Sequence, residues 1–522
     1  KYNYLPPADR PAWVKKSAMY TLAVNPIQGN VCGVSGAEKH ALPYLKSLGF
    51  NLFWIQPVEV AMMYGVQDFY RMRADSGTWE EYHRFTDAAH RENIRLLLDT
   101  TPHGGRPLWA KTRNLPPEAL IVNENGDFRS GESFDYSSPY WREYMRKVVE
   151  FDLKQTGVDG FRVDTGGNTG FSWRREGFPA KPSSNVDAKW FYSEIAKTGG
   201  KIRGIEYDKA SCNSRQGPAL LMEMIRRETR KTVRDGIAAS ETEWLASIPV
   251  SDFIWDFYFR QFRFQFHRFT PEEFTSRFMR WLDEEYLTDP PGSLRLRFME
   301  LHGYCMPIEL YAGDKAASAA RSVLHLVHGI PMSLYGDGAG HGVWTRKWLK
   351  LRATLPELTE GQEDYSGVKS SPQMMTIARV LPGKSSVGIV SFYPEKRTVE
   401  INLPETVLPF AENEPLICRD ALTGKTLAQG TRKELKHLTL SMEPFGSCLP
   451  VFRKKSDPYP AFPDDSLKLH AKQPEKSAVT ETKEEIRIGS LVIDRGTGLL
   501  KKFGSHFGPM YRAGDKAIPQ TP

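Results

Sequence analysis

The stretch "GVDGFRVDTGG", residues 157–167, sets Arg162 and Asp164 inside an apolar run bounded by glycines. Val158, Phe161 and Val163 give the run the character of a buried strand. A charge on such a strand is costly unless it is paired and hydrogen-bonded. Arg162 and Asp164 are therefore either a structural ion pair at a strand end or part of a site that uses carboxylate chemistry. Further acids and a histidine stand in comparable places: Asp99 in "RLLLDTTP", Glu241 in "IAASETEW" and His302 in "FMELHGYC".

The elements that must position these groups are legible from about residue 20 to 360, where apolar strand-like runs alternate with amphipathic helical stretches. This is the pattern of α/β units around a parallel sheet. "EKHALPYLKSLGF" reads as a helix before the strand "NLFWIQPV", and "TWEEYHRFTDAAHRENI" as a helix before "RLLLDTTP". "YWREYMRKVVEFDLKQTG" leads to "VDGFRVD", "PALLMEMIRRETRKTVRDG" to "IAASETEW", and "AARSVLHLVHG" to "IPMSLYGDG". Asp99, Asp164, Glu241 and His302 thus fall at or just beyond strand C-termini, the face on which barrel active sites are built. The expected fold is an α/β (β/α)8 barrel over 1–362 with a short inserted segment near 104–138. Alternating runs such as "MMTIARVL", "SSVGIVSFY" and "TVEINLP" then predict a sandwich-like antiparallel β domain over 363–455. Residues 456–522 read as a Pro- and charge-rich linker followed by a short β extension with one strand, "IRIGSLVID".

Composition narrows the function. Among 522 residues, 40% are apolar and 12% aromatic, enough for a sizeable core with aromatic surface to spare. The net charge of +7 is small for the length and its basic residues are interspersed with acids, so a nucleic-acid role has no support. No apolar run reaches the ~20 residues that span a bilayer, so no membrane partner is expected. Cys32, Cys212, Cys305, Cys418 and Cys448 are scattered without metal-ligand spacing, which signals neither a zinc site nor a disulfide framework. The start at Lys1 without methionine points to a processed, secreted or periplasmic protein. The basic cluster Arg174, Arg175, Lys181, Arg203 and Arg215 is either solvated surface or the counter-charge of an acidic ligand.

Over most of residues 13–455 the chain resembles the α-amylase family, glycoside hydrolase family 13. Six segments carry the resemblance in the family's order: "PYLKSLGFNLFWIQPV", "GTWEEYHRFTDAAHRENIRLLLD", "FDYSSPYWREYM", "GVDGFRVD", "HGIPMSLYGDG" and "LKLRATLPEL". The resemblance implies a retaining glycosidase on an α-linked oligo- or polysaccharide, in which one carboxylate attacks the anomeric carbon and a second acts as acid and then base. Asp164 matches the nucleophile position and Glu241 the acid/base at the end of the fifth strand. Arg162, two residues back on the same strand face, would keep Asp164 ionised and aimed. Trp244 could supply an apolar wall that raises the proton affinity of Glu241. Glu243 and Glu206 are rivals for the acid/base role. Asp99, His103, His302 and Tyr64 match sugar-binding positions, Tyr64 as the platform under the reacting sugar.

The departures from the family pattern are as informative. The third strand reads "DTTPHGG", so His103 is displaced by one position and Gly104 stands where a sugar-binding histidine is expected. Gly303 replaces the third family carboxylate, and Gly338 stands where a Glu is common. Two readings follow: a non-catalytic binding or partner protein on the amylase fold, like the transporter heavy chains that resemble this family, or an enzyme whose reacting sugar is not plain glucose. Retention of Arg162, Asp164 and a fifth-strand carboxylate favours the enzyme, with transglycosylation or isomerisation as alternatives to hydrolysis. Loss of an acid at Gly303 opens space for a substituted, reconfigured or anionic sugar, with Arg174, Arg175 or Arg203 as counter-charges. No organic cofactor is expected. The missing third-strand Asn argues against the family's calcium site, and Glu124 and Asp127 in "NENGD" read as a polar turn before they read as metal ligands. The oligomeric state is left open.

Overall fold

The computed structural model describes residues 5–24, 33–62, 64–103, 113–116, 119–121, 134–166, 216–259, 268–302, 313–334, 338–460, 479–482, 484–488, 491–494, 500–503 and 506–507. Eight strands close into a barrel: β1 (Met19–Leu22), β2 (Leu52–Ile55), β3 (Arg95–Thr100), β4 (Gly160–Val163), β5 (Ile237–Ser240), β6 (Phe253–Trp255), β7 (Arg295–Arg297) and β8 (Ile330–Ser333). Each pairs in parallel with its neighbours in the chain, and β1 closes on β8. Parallel neighbours require a crossover between them, and the helices read in the sequence supply it.

Local chemistry fixes where those helices begin and end. Helix α1 (Trp79–Arg91), between β2 and β3, opens on a reciprocal capping box of Thr78 and Glu81 and buries Tyr82, Phe85 and Ala89. Helix α2 (Pro139–Thr156), between β3 and β4, begins on a proline that has no N–H to leave orphaned and ends at Gly157 in a left-handed conformation. Helix α3 (Gln216–Thr232) precedes β5. The helical run before β2 widens into a π turn over Ala37–Ala41. Pro43, just beyond it, cannot donate to the carbonyl four residues back, and the wider turn absorbs the mismatch. Gly160 opens β4 with φ 154°, and a Cβ there would run into the carbonyl oxygen of Ile237. Only glycine lets β5 close on β4 at that point, directly beneath Arg162.

Inside the barrel, Leu52, Trp54, Leu97, Ala239, Trp255, Leu296 and Met332 pack in one buried cluster. These are inward positions of successive strands, so the barrel is filled and not a pore. The β domain holds a sheet containing Met375–Leu381, Lys384–Val390, Pro415–Asp420, Thr426–Thr431 and Pro450–Lys454, and a second sheet of Lys369–Ser371, Arg397–Asn402 and His437–Met442. Both sheets are antiparallel. Ile377, Val390 and Val451 share a core with Val323 and Trp348 of the barrel's last helices, so residues up to 465 form one compact unit.

Residues 466–522 form a second unit, whose described part is a five-stranded antiparallel sheet. The single expected strand "IRIGSLVID" is in fact two, Glu485–Ile488 and Leu491–Asp494, paired antiparallel. Only Gly489 and Ser490 separate the two in the sequence, so the nearly unbroken apolar alternation reads as one strand. The expected linker also starts later than residue 456, since Tyr459 donates to the Val451 carbonyl, accepts from the Arg419 N–H and lies under the Arg419 guanidinium. Among the described residues no helix is long and apolar enough to cross a membrane.

Candidate active site

The C-terminal ends of β3, β4 and β5 bring three carboxyl groups around one guanidinium. Arg162, in β4 and with no exposed surface, donates through Nη1 to Asp99 Oδ1 at 2.8 Å, to Asp99 Oδ2 at 3.0 Å and to Asp164 Oδ1 at 2.6 Å. Its Nη2 lies 2.5 Å from Glu241 Oε1, an ion-pair contact whose angle falls short of a hydrogen bond. The second oxygens are held too. His103 Nε2 meets Asp164 Oδ2 at 2.5 Å, and the Thr165 N–H donates to Glu241 Oε2 at 3.0 Å. Thr165 has φ 44°, an uncommon conformation for a β-branched residue, and that twist points its N–H across to the end of β5. The two carboxyl groups also touch: Glu241, when protonated, is a hydrogen-bond donor to Asp164.

Three buried carboxyls cannot all ionise beside one cation. Burial raises the proton affinity of Asp164, but the Arg162 charge and the His103 contact outweigh it and hold Asp164 below the usual carboxylate range. Glu241 goes the other way: burial raises it, Arg162 opposes, and the neighbouring Asp164 charge adds to the rise, leaving it well above an ordinary glutamate. Asp99 is pushed up to about 8, by burial first and against the pull of Arg162. The site therefore holds one ionised and one protonated carboxyl side by side, the division of labour that acid/base chemistry needs.

Above this group lies an aromatic stack. Tyr64, at the turn of a hairpin formed by Glu59–Met62 and Gly65–Met72, bonds His302 Nε2 through its hydroxyl at 2.5 Å, and the two rings stack with centroids 5.1 Å apart. His302 meets the edge of Trp54 at 5.3 Å, and Trp54 packs against Trp255 at 5.5 Å. The Arg162 guanidinium carbon sits 4.5 Å from the Trp54 ring centre and 5.3 Å from that of Trp255. These faces stabilise a cation already isolated from water. Burial and the Arg162 charge lower the His302 pKa to about 4, so its ring is neutral near pH 7.

The structure thus gathers Asp99, His103, Arg162, Asp164 and Glu241 at one place, with Tyr64 and His302 stacked beside Arg162. Two of these residues, Asp99 and Trp244, stand differently from the expectation. Asp99 is fully buried with both oxygens on Arg162, so in this structure it braces the guanidinium. Trp244 is half-buried at the head of a turn over Leu245–Val250, and its described contact is its own N–H to Thr242 Oγ1, with none to Glu241. His302, expected at or just beyond a strand end, stands five residues past Arg297, the last residue of β7, whose Arg295 and Arg297 are tied to Asp289, Glu285 and Asp256. Of the rivals for Glu241, Glu243 has no described contact with Arg162. Glu206 lies outside the described residues, as do Gly104, Gly303, the cluster Arg174, Arg175, Lys181, Arg203 and Arg215, and the pair Glu124 and Asp127.

Trp54, Trp255 and Thr165 were not anticipated. The first two were visible in principle as large aromatics at inward positions near the ends of β2 and β6, whereas no local signal marks a left-handed threonine. Among the described residues no group of three or more His, Cys, Asp or Glu side chains is placed to hold a metal ion.

The family described as "Alpha amylase, catalytic domain" matches residues 23–106. Trehalose synthase/amylase TreS of Mycolicibacterium smegmatis is 24% identical over 197 residues, 29% of this chain and 33% of that protein. Alpha-amylase MalA of Haloarcula japonica is 34% identical over 182 residues, 30% of this chain and 26% of that protein. The chain thus spans about a third of the length of the curated relatives it matches. Among solved structures, an α-amylase of Geobacillus thermoleovorans complexed with acarbose superposes with a TM-score of 0.60 at 15% identity, covering 85% of this chain and 99% of that one. A maltogenic α-amylase, AmyB of Thermotoga neapolitana, gives 0.62 at 16% identity, covering 84% and 99%. By the family model over residues 23–106 and by these relatives the chain is similar to the α-amylase family, and the superposed structures share its barrel fold.

Proposed function

We propose that the chain is a retaining glycosidase acting on an α-linked oligo- or polysaccharide through a covalent intermediate on Asp164. The observation that carries this reading is the placement of Asp164 and Glu241 on the two terminal nitrogens of one buried arginine, with their proton affinities driven apart. In the first step an ionised Asp164 oxygen bonds to the anomeric carbon while Glu241 gives its proton to the departing glycosidic oxygen. In the second, Glu241, now a carboxylate, takes a proton from the incoming hydroxyl, whose oxygen displaces Asp164. Carboxyl groups in contact favour retention, which works at a separation of ~5–5.5 Å, over inversion, which needs ~6.5–9.5 Å to admit water between them.

Each neighbour has a task in this scheme. Arg162 keeps Asp164 ionised and fixes its angle, and Asp99 braces Arg162 from behind. His103 orients the second Asp164 oxygen, and the Thr165 N–H steadies Glu241. Tyr64 and His302 offer a flat face to the reacting sugar. If the incoming hydroxyl is water the reaction is hydrolysis, and if it belongs to a sugar it is transfer or isomerisation. The names of the relatives span these outcomes, from cyclomaltodextrinase to 4-alpha-glucanotransferase and trehalose synthase. Gly104 and Gly303, in place of hydroxyl-binding side chains, support a reacting sugar other than plain glucose.

A screen of neutral and anionic α-linked oligosaccharides, with the anomer of the first product followed by NMR, tests the reading. Retention of configuration on any of them supports it. Inversion refutes the mechanism, and binding without turnover of any of them favours the carbohydrate-binding alternative.

A further inference from the structure

A second unusual arginine stands at the other end of the barrel. Arg379 lies in the β-domain strand Met375–Leu381, in step with Met375 and Ile377, which enter the core shared with the barrel helices. It has no exposed surface, and none of its Nε, Nη1 and Nη2 finds a hydrogen-bond acceptor among the described residues. Its cross-strand neighbours are Glu363 and Ser386, and both are engaged elsewhere. Glu363 faces His328 Nδ1 at 3.4 Å, and Ser386 donates to Glu357 Oε1 at 2.6 Å, an oxygen that also receives Arg453 Nη2 at 2.5 Å. No described carboxylate lies within ion-pairing distance of Arg379.

The surroundings add positive charge. Arg352, also buried, donates to the carbonyl oxygens of His325, Leu358 and Gly329 and has no described carboxylate partner either. Burial first, and then the Arg379 charge, lower the Arg352 pKa to about 9 and hold His328 neutral. A carboxyl group stranded in this way would take up a proton, but a guanidinium cannot lose one in a protein. Water could occupy its N–H groups and would leave the charge uncompensated, and an unpaired buried charge is among the costliest features a fold can carry. A cleft of about 520 Å³ lined by Arg297, His328, Glu363 and Tyr365 reaches the same region from solvent.

We propose that Arg379, with Arg352 beside it, holds a buried monovalent anion of halide size between the barrel's N-terminal end and the β domain. The carboxylates of Glu363 and Glu357 flank this region, and Glu357 Oε2 is itself buried without a described partner, which disfavours a bulky or divalent anion and leaves chloride as the natural probe.

The test is thermal unfolding of the whole chain at constant ionic strength, replacing gluconate stepwise by chloride or bromide. The expected result is a saturable rise in Tm with either halide, since an ion that binds only the folded state stabilises it. Arg379→Met should abolish the rise and, in gluconate, melt no lower than the wild type. If that variant does not fold, bromide soaked into crystals of the wild-type protein decides, with an anomalous peak at hydrogen-bond distance from the Arg379 nitrogens as the expected result. A Tm indifferent to which anion is present, an equal halide response in Arg379→Met, or water alone at the Arg379 nitrogens would overturn the proposal.

Discussion

Replacing Glu241 by Gln removes a proton while keeping shape, and the structure states what else it removes. Glu241 uses one oxygen for Arg162 Nη2 and the other for the Thr165 N–H. Gln has one acceptor and one NH2 group, so one of those two donors must face another donor. A buried donor left without an acceptor costs about 1–3 kcal/mol, which is the expected loss of stability. The kinetic loss has a different signature. General acid catalysis supplies roughly 10²–10⁴-fold, or about 3–5 kcal/mol of barrier, for a leaving group that needs a proton. On an oligosaccharide that wild type cleaves, kcat/KM should fall by that factor. On aryl glycosides of the same sugar the loss should shrink as the phenol becomes more acidic, and nearly vanish for a dinitrophenyl leaving group. In the proposed mechanism the raised proton affinity of Glu241 would set the alkaline edge of activity, so that edge should also disappear from the pH profile of the variant on the activated substrate. Equal losses across all leaving groups would refute the acid assignment, and the same pattern in Glu243→Gln would transfer it.

Other perturbations probe the support of the site. Arg162→Met leaves Asp99, Asp164 and Glu241 facing one another without their shared cation, and should cost about 3–5 kcal/mol in urea unfolding, the penalty for breaking a buried pair from one side. Asp99 has a folded-state pKa raised to about 8, so its contribution to stability is full below the unfolded value of ~3.9 and is lost as pH rises towards 8. Asp99→Asn, which mimics the protonated acid, should therefore be less destabilising at pH 8 than at pH 5, and an equal penalty at both would mean that Asp99 is ionised throughout. If Gly303 accommodates an unusual sugar, Gly303→Asp should impair turnover of the native substrate, whereas a gain in α-glucosidase activity would point to a decayed amylase. For an anionic sugar, Arg174→Ala, Arg175→Ala or Arg203→Ala should cost about 2–5 kcal/mol in kcat/KM at a buried pair, and starch turnover indifferent to all three would exclude that substrate class.

Much of this architecture could be read from patterning because each helix carries its own boundary signals. Thr78 with Glu81, Pro139 and Gly157 mark ends by local chemistry that survives in any context. The pairing of Arg162 with Asp164 was readable for the same reason, since alternate residues of a strand share a face. What escaped the sequence depends on partners distant in the chain. Asp99 acts as a brace because Arg162, 63 residues on, claims both its oxygens. His103 is displaced from the family register, yet it reaches Asp164 from the end of β3. The strand at "RLR" is short and charged, so its alternation is invisible to hydrophobic periodicity and only the outward ion pairs of Arg295 and Arg297 account for it. The left-handed Thr165 is a backbone choice imposed by the junction of β4 with β5, and no residue type announces it.

The proposed mechanism stands or falls on whether Asp164 becomes covalently bonded to the sugar during turnover. It is tested most directly by trapping: the protein is incubated with an activated fluorosugar of the preferred substrate, digested, and its peptides analysed by mass spectrometry. The expected result is one adduct of the mass of the fluoroglycosyl group, carried on Asp164 and absent from a folded Asp164→Asn variant that no longer turns over substrate. An adduct on another carboxylate, or sustained activity in Asp164→Asn, would contradict it and leave the Arg162–Asp164 pair a purely structural feature of the barrel.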